Sequence, residues 1–196
     1  MLTRNKIATF ILGFAGVLPT SAQEIGYRSS AAVQYFGSFQ RATNDNGVTH
    51  DSSNSAGVLA TYRFYFSRYH GVEADYGYTR NTQHYSLGGN RSDLLVNAHE
   101  VTAAYVLRRP GRIWTPFALA GAGALIFAPD NSGRDAQARA TFVYGVGADL
   151  NFSDRWFVRA QYRGLVFNSP AIGVSTVASE RLTHGAQPSI GLGWRF

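Results

Sequence analysis

A histidine and a serine two residues apart on one face of an extended strand place a base beside a nucleophile, the minimum for acyl transfer. His84-Tyr85-Ser86 offers that pair, and strand alternation puts both side chains on the outward face. The chemistry also wants a carboxylate to orient the imidazole. Glu100 is the nearest strand-borne acid, but its parity is inward while its neighbour His99 points out. The tripeptide therefore reads as the polar base of a loop, and no catalytic residue is assigned. His50, His70, His99 and His184 show no H-x-x-x-H metal spacing. His70 falls in a short turn, and His50 and His184 fall in long loops. Cysteine is absent, so no disulfide or thiolate site can form. No G-x-S-x-G, phosphate loop or dinucleotide fingerprint appears, and neither a metal nor a cofactor is expected.

Ion pairing is the second chemistry on offer. Arg63, Glu73, Asp75, Glu100, Asp149, Arg159, Arg163 and Arg195 lie on strand-like stretches and share one parity within them. That set is balanced, four acids against four arginines. Buried together they would offset each other's desolvation, provided that the geometry is good. Arginine suits this task because its planar fork pairs bidentately and stays charged.

Eight strands are predicted to carry these residues, at about 29–41, 55–67, 70–83, 96–108, 114–128, 139–151, 156–168 and 185–196. In the second, Val58, Ala60, Tyr62, Phe64 and Phe66 oppose Leu59, Thr61, Arg63 and Tyr65. The sixth sets Phe142, Tyr144, Val146 and Leu150 against Thr141, Gly145, Gly147 and Asp149. In the fifth the faces differ in size rather than polarity: Phe117, Leu119, Leu125 and Phe127 against alanines. Gly121-Ala122-Gly123 and Gly145-Val146-Gly147 read as points of sheet curvature. Connections near 68–69, 109–113 and 152–155 are short. Those near 42–54, 84–95, 129–138 and 169–184 are longer and polar. Short turns on one side and long loops on the other are the pattern of a membrane β-barrel.

The last strand sharpens this reading. Ile190, Leu192, Trp194 and Phe196 point one way, and Ser189, Gly191, Gly193 and Arg195 the other. Termini usually fray, yet here a bulky aromatic stands last on a strand. Closure of a sheet in lipid orders such an end, because every backbone group must be paired there. The chain thus resembles small OmpA-like outer-membrane barrels, in which a C-terminal aromatic on an alternating strand is the signal read by the barrel-assembly machinery. The resemblance implies an all-β, eight-stranded, antiparallel up-and-down transmembrane barrel with short periplasmic turns and long extracellular loops. Both termini would be periplasmic. Ile190, Leu192, Trp194 and Phe196 would form the assembly signal, and the eight charged residues a salt-bridged lumen. Larger members add a peptidoglycan-binding domain after the barrel; this chain ends at Phe196 and is not expected to tether the cell wall in that way.

The N-terminus agrees with export. Arg4 and Lys6 precede an apolar run from Ile7 to Leu18, and Pro19-Thr20-Ser21-Ala22 offers a cleavage site after Ala22. About 12 apolar residues fall short of the roughly 20 that a spanning helix needs. Residues 1–22 are thus expected to be a signal peptide and 23–196 a barrel domain. Removal of Arg4 and Lys6 leaves 16 arginines against 12 acids, a net charge of +4. The arginines are scattered, so no nucleic acid is expected as a partner.

Lipid-facing aromatics are expected near the short turns (Phe64, Phe66, Trp156, Trp194) and near the long loops (Tyr35, Phe39, Tyr78, Phe127, Phe142), the two belts of a membrane interface. Rim arginines at 41, 80, 91, 134, 139 and 181 suit lipopolysaccharide phosphates. The expected partners are therefore outer-membrane lipid and lipopolysaccharide, with the assembly machinery during biogenesis, and the expected state is a monomer. The reading favours a structural or surface-interaction barrel without catalysis. Its alternatives are a narrow pore and a lipid A-modifying enzyme, since the His84/Ser86 pair resembles, loosely, that of lipid A 3-O-deacylases.

Overall fold

The computed structural model describes the backbone of residues 28–40, 43–45, 48–52, 55–87, 90–129, 136–168 and 182–196, with side chains at all of these except 40, 43–52, 81–87, 90–96, 129 and 168. The expected signal segment lies outside the described residues, as do most of the long-loop charges. Strands are β1 (Ser29–Gln40), β2 (Thr43–Asp45), β3 (Val48–Ser52), β4 (Ser55–Tyr65), β5 (His70–Leu87), β6 (Asn90–Arg108), β7 (Trp114–Pro129), β8 (Gln137–Asn151), β9 (Trp156–Asn168) and β10 (Leu182–Arg195). Eight of them close a barrel in the order β1-β4-β5-β6-β7-β8-β9-β10, every pairing antiparallel. The seam joins β1 to β10, from Ser30↔Arg195 to Gln40↔Gly185. Its lower end is fixed by Phe196 N donating to Ser29 O at 3.0 Å and Ser29 N donating to Phe196 O at 3.2 Å. Among the described residues the ring of pairings is closed, β1 to β10, as hydrocarbon requires of a barrel wall.

Three departures from the predicted strands lie at the long-loop end. The segment expected to be a loop at 84–95 is largely a ladder: β5 and β6 stay paired to Leu87↔Asn90. The loop expected at 42–54 holds the β2–β3 hairpin, and β3 pairs β5 through Thr49↔Ser86 to Ser52↔Gln83. Polar strands of this kind show no apolar alternation to betray them. β10 also starts earlier than predicted, at Leu182, so His184 is a strand residue rather than a loop one. His70 is likewise the first residue of β5.

Alternation sorts the wall. Tyr35, Val58, Tyr62, Phe66, Val101, Tyr105, Phe142 and Ile190 face out, while Leu59, Thr61, Arg63, Glu73 and Asp75 face in. One aromatic is corrected. Phe127, expected in the outer belt, is 2% exposed and packs inside against Phe167 with ring centroids 6.2 Å apart. On β7 the large residues Phe117, Leu119, Leu125 and Phe127 all turn inward, and the alanines meet lipid. The reason is volume. Glycines on neighbouring strands leave interior space that large rings fill: a Cβ on Gly147 would stand 2.6 Å from the Phe117 ring. Curvature and room for side chains are one device there.

Candidate functional site

The interior is built in layers. Nearest the short turns, β4 and β5 set Arg63 directly opposite Glu73, and β8 and β9 set Asp149 opposite Arg159. Each pair straddles a short turn, so two acid–base couples ten residues apart in sequence meet across hairpins. Arg63 Nε donates to Glu73 Oε2. Arg159 grips Asp149 bidentately, Nε to Oδ1 at 2.7 Å and Nη2 to Oδ2 at 3.0 Å. The Arg159 guanidinium also reaches Glu73, with Nη1 3.6 Å from Oε2, joining the couples. Arg195 adds an Nη2–Asp149 contact at 3.8 Å and donates to Asn151 Oδ1 at 2.6 Å. Aromatic rings floor this layer: Arg63 Cζ lies 3.8 Å from the Phe117 centroid, and Arg195 Cζ 4.6 Å from that of Phe157.

Above it stands a second cluster around Arg163. Its Nη2 lies 2.6 Å from Glu100 Oε1 and 3.3 Å from Asp75 Oδ2, and donates to Thr102 Oγ1 at 2.9 Å. Thr102 in turn donates to Asp75 Oδ2 at 3.0 Å, and Gln187 Nε2 to Glu100 Oε2 at 2.9 Å. Arg63 and Arg163 are 0% exposed and Arg159 1%, so water does not reach these guanidinium groups. Arg63 Nη1, Glu73 Oε1, Asp75 Oδ1 and Arg163 Nε nonetheless find no hydrogen-bond partner among the described residues. Burial of such atoms is costly, so the cluster constrains shape more than it adds stability.

Higher still large apolar side chains enter the lumen among buried hydroxyls. Phe36, Leu125, Phe127, Leu165 and Phe167, with Ser38, Thr79, Glu100 and Gln187, line a cavity of about 30 Å³, room for about one water molecule. The sequence reading assigned the interior to charge and missed this apolar filling. It also missed Thr61, Thr102, Gln161 and Gln187 as partners of the arginines. Their inward parity on β4, β6, β9 and β10 was the available signal.

The described residues include no group of three or more His, Asp or Glu placed to hold a metal. On the outer wall, histidines pair with tyrosines: Tyr76 with His99 at 2.8 Å, and Tyr144 with His184 at 2.6 Å across Gly164. Those bonds satisfy imidazoles that would otherwise face lipid unpaired. His84 and Ser86 lie on β5, with Asp51 and Asp93 at the positions flanking His84 in the ladder; their side chains lie outside the described residues. Ile190, Leu192, Trp194 and Phe196 form an exposed outward row on β10 and the residue that follows it. The Phe196 ring lies 5.1 Å from Trp194 and 6.2 Å from Tyr62.

Residues 8–196 match a family model described as the outer membrane protein beta-barrel domain. No curated protein sequence matches the chain. Among solved structures, the chain is similar to the outer membrane protein OprG from Pseudomonas aeruginosa, with a TM-score of 0.63 at 12% identity over 87% of this chain and 97% of that one. Neisserial surface protein A gives 0.59 at 14% identity, over 85% and 97%. The attachment invasion locus protein Ail of Yersinia pestis gives 0.56 at 21% identity, over 88% and 100%. At these identities the likeness is one of fold.

Proposed function

From a chain that belongs to the outer membrane protein beta-barrel domain family, and so resides in the bacterial outer membrane, we propose a sealed, non-catalytic barrel with structural and surface-interaction duties. The observation that carries the proposal is the near-zero exposure of Arg63, Arg159 and Arg163. A conducting lumen would wet its charged lining; here the guanidinium groups are packed against carboxylates and aromatic rings, beneath large apolar side chains. An eight-stranded barrel is just narrow enough for side chains to fill in this way. Surface duty is supported by the long β5–β6 ladder, which carries polar residues past the hydrocarbon. Planar-bilayer recording of the refolded full chain is the test. It should be silent, and steady conductance would overturn the sealed-lumen reading in favour of a pore.

The enzyme reading has one observation in its favour, the carboxylate positions Asp51 and Asp93 beside His84. Height weighs against it. His84 stands fourteen residues along β5 from His70 at the periplasmic end. At about 3.3 Å per residue and a tilt near 40°, that is roughly 35 Å, well above a lipid band of about 25 Å. Acyl chains do not reach that level. Lipid A from strains carrying His84→Ala or Ser86→Ala should show unchanged acylation by mass spectrometry; a shifted acyl pattern in both would establish the enzyme.

A further inference from the structure

Counted over residues 23–196, the sequence assigns its net charge of +4 to the segments at the short-turn end of the barrel. The lumen network described above balances, four arginines against four acids. In the sequence, the segments read as long loops and their rim are again even, six arginines (41, 80, 91, 134, 139, 181) and six acids (45, 51, 93, 130, 135, 180). What remains of residues 23–196 is Arg28, Arg68, Arg108, Arg109, Arg112 and Arg155 against Glu24 and Asp154. All six arginines lie at the short-turn, periplasmic rim. Arg108 is engaged locally: its Cζ stands 3.4 Å from the Tyr65 ring centroid, and its Nε donates to Arg68 O at 3.1 Å. Arg68, Arg109, Arg112 and Arg155 are exposed, and they are spread over all three short turns.

Each of those turns also bares an aromatic ring near its arginine. Tyr69 is 47% exposed beside Arg68, whose Cζ lies 5.8 Å from the ring; Trp114 is 59% exposed beyond Arg112, and Trp156 44% exposed after Arg155. A cation paired with an amphipathic ring suits the headgroup layer, where rings settle and phosphates offer acceptors.

We infer that this rim is a binding collar for anionic phospholipids of the periplasmic leaflet, of the phosphatidylglycerol class. Such a headgroup carries a phosphodiester with no amine of its own to neutralise it, so a net-positive collar prefers it to a zwitterionic neighbour. The turns are too short, at 66–69, 109–113 and 152–155, to lift their arginines away from the bilayer toward a distant polymer. Attraction of a basic segment to an anionic surface amounts to about fivefold in binding per arginine close to it.

The molecule carries its own reporter. Its only three tryptophans, Trp114, Trp156 and Trp194, all stand at this rim. The full chain refolded into phosphatidylcholine vesicles containing brominated phosphatidylglycerol should be quenched as if that lipid were enriched about fivefold around it, relative to brominated phosphatidylcholine. Joint replacement Arg68→Gln, Arg109→Gln, Arg112→Gln and Arg155→Gln should bring the ratio to parity, with heat-modifiable gel migration reporting that the barrel still closes. Should the variant fail to close, 1 M NaCl on the unaltered protein tests the same point, because it shortens screening to about 3 Å and should also abolish the preference. Parity in the unaltered protein at low salt would overturn the inference. So would a preference that survives the four replacements in a closed barrel, or arginine-dependent co-sedimentation with purified cell-wall sacculi in the absence of lipid preference.

Discussion

Replacement of Arg163 by methionine tests the logic of the lumen most directly. Methionine keeps much of the length of the side chain and deletes the charge. Arg163 Nη2 is the atom that lies between Glu100 Oε1 and Asp75 Oδ2, at 2.6 and 3.3 Å. Without it two buried carboxylates from adjacent strands face one another with no cation between them. Removal of one partner from a buried ion pair costs about 3–5 kcal/mol, because the other charge is stranded. Against a total stability of about 5–15 kcal/mol, the loss is large. The deciding comparison is the triple variant Arg163→Met, Asp75→Asn, Glu100→Gln. It removes the stranded charges and leaves amides able to bond Thr102 and Gln187, so it should recover at least half of the loss. Equilibrium urea unfolding from phospholipid vesicles, followed by tryptophan fluorescence and heat-modifiable migration, measures both. A single variant that loses less than about 1 kcal/mol would refute the reasoning, and so would a triple no more stable than the single.

Two further outcomes are expected. Deletion of Phe196 removes both seam hydrogen bonds to Ser29 and the last ring of the outward row, so the chain should reach the periplasm in normal amount but assemble poorly in fractionated membranes; normal assembly would refute the assigned role of the terminus. Gly164→Val should cost about 1–2 kcal/mol, since its Cβ would stand 2.6 Å from Tyr144 Cε1 and push that ring off His184. In a Tyr144→Ala background the same change should cost almost nothing, and equal costs in both backgrounds would show that the ring is not the obstacle.

The barrel was legible because lipid imposes a strict period of two. Val58 through Tyr65 shows it plainly, and strand ends at the short turns fell within two residues of their predicted places. Where that constraint lapses, so did the reading. Gln83 to Ser86 and Arg91 to Leu94 pair in a ladder above the membrane, where neither face needs to be greasy, so they looked like loop. Phe127 failed for a different reason. On β7 both faces are apolar, and the choice between them depends on volume inside the barrel, which glycines on other strands set. Charge on the inward faces could be listed from parity alone. Which acid meets which arginine could not, because Arg163 reaches Glu100 and Asp75 on strands far from it in sequence.

The ladder above the membrane has a mechanical consequence. Seven residue pairs continue past Arg80↔Asn97, from Asn81↔Val96 to Leu87↔Asn90, a reach on the order of 20 Å. Doubly braced where β3 joins, this prong inherits its bearing from the staves beneath instead of swinging on a tether. A load on that ladder would pass straight into the cask, because β5 and β6 are also the staves that carry Glu73, Asp75 and Glu100 to their arginines.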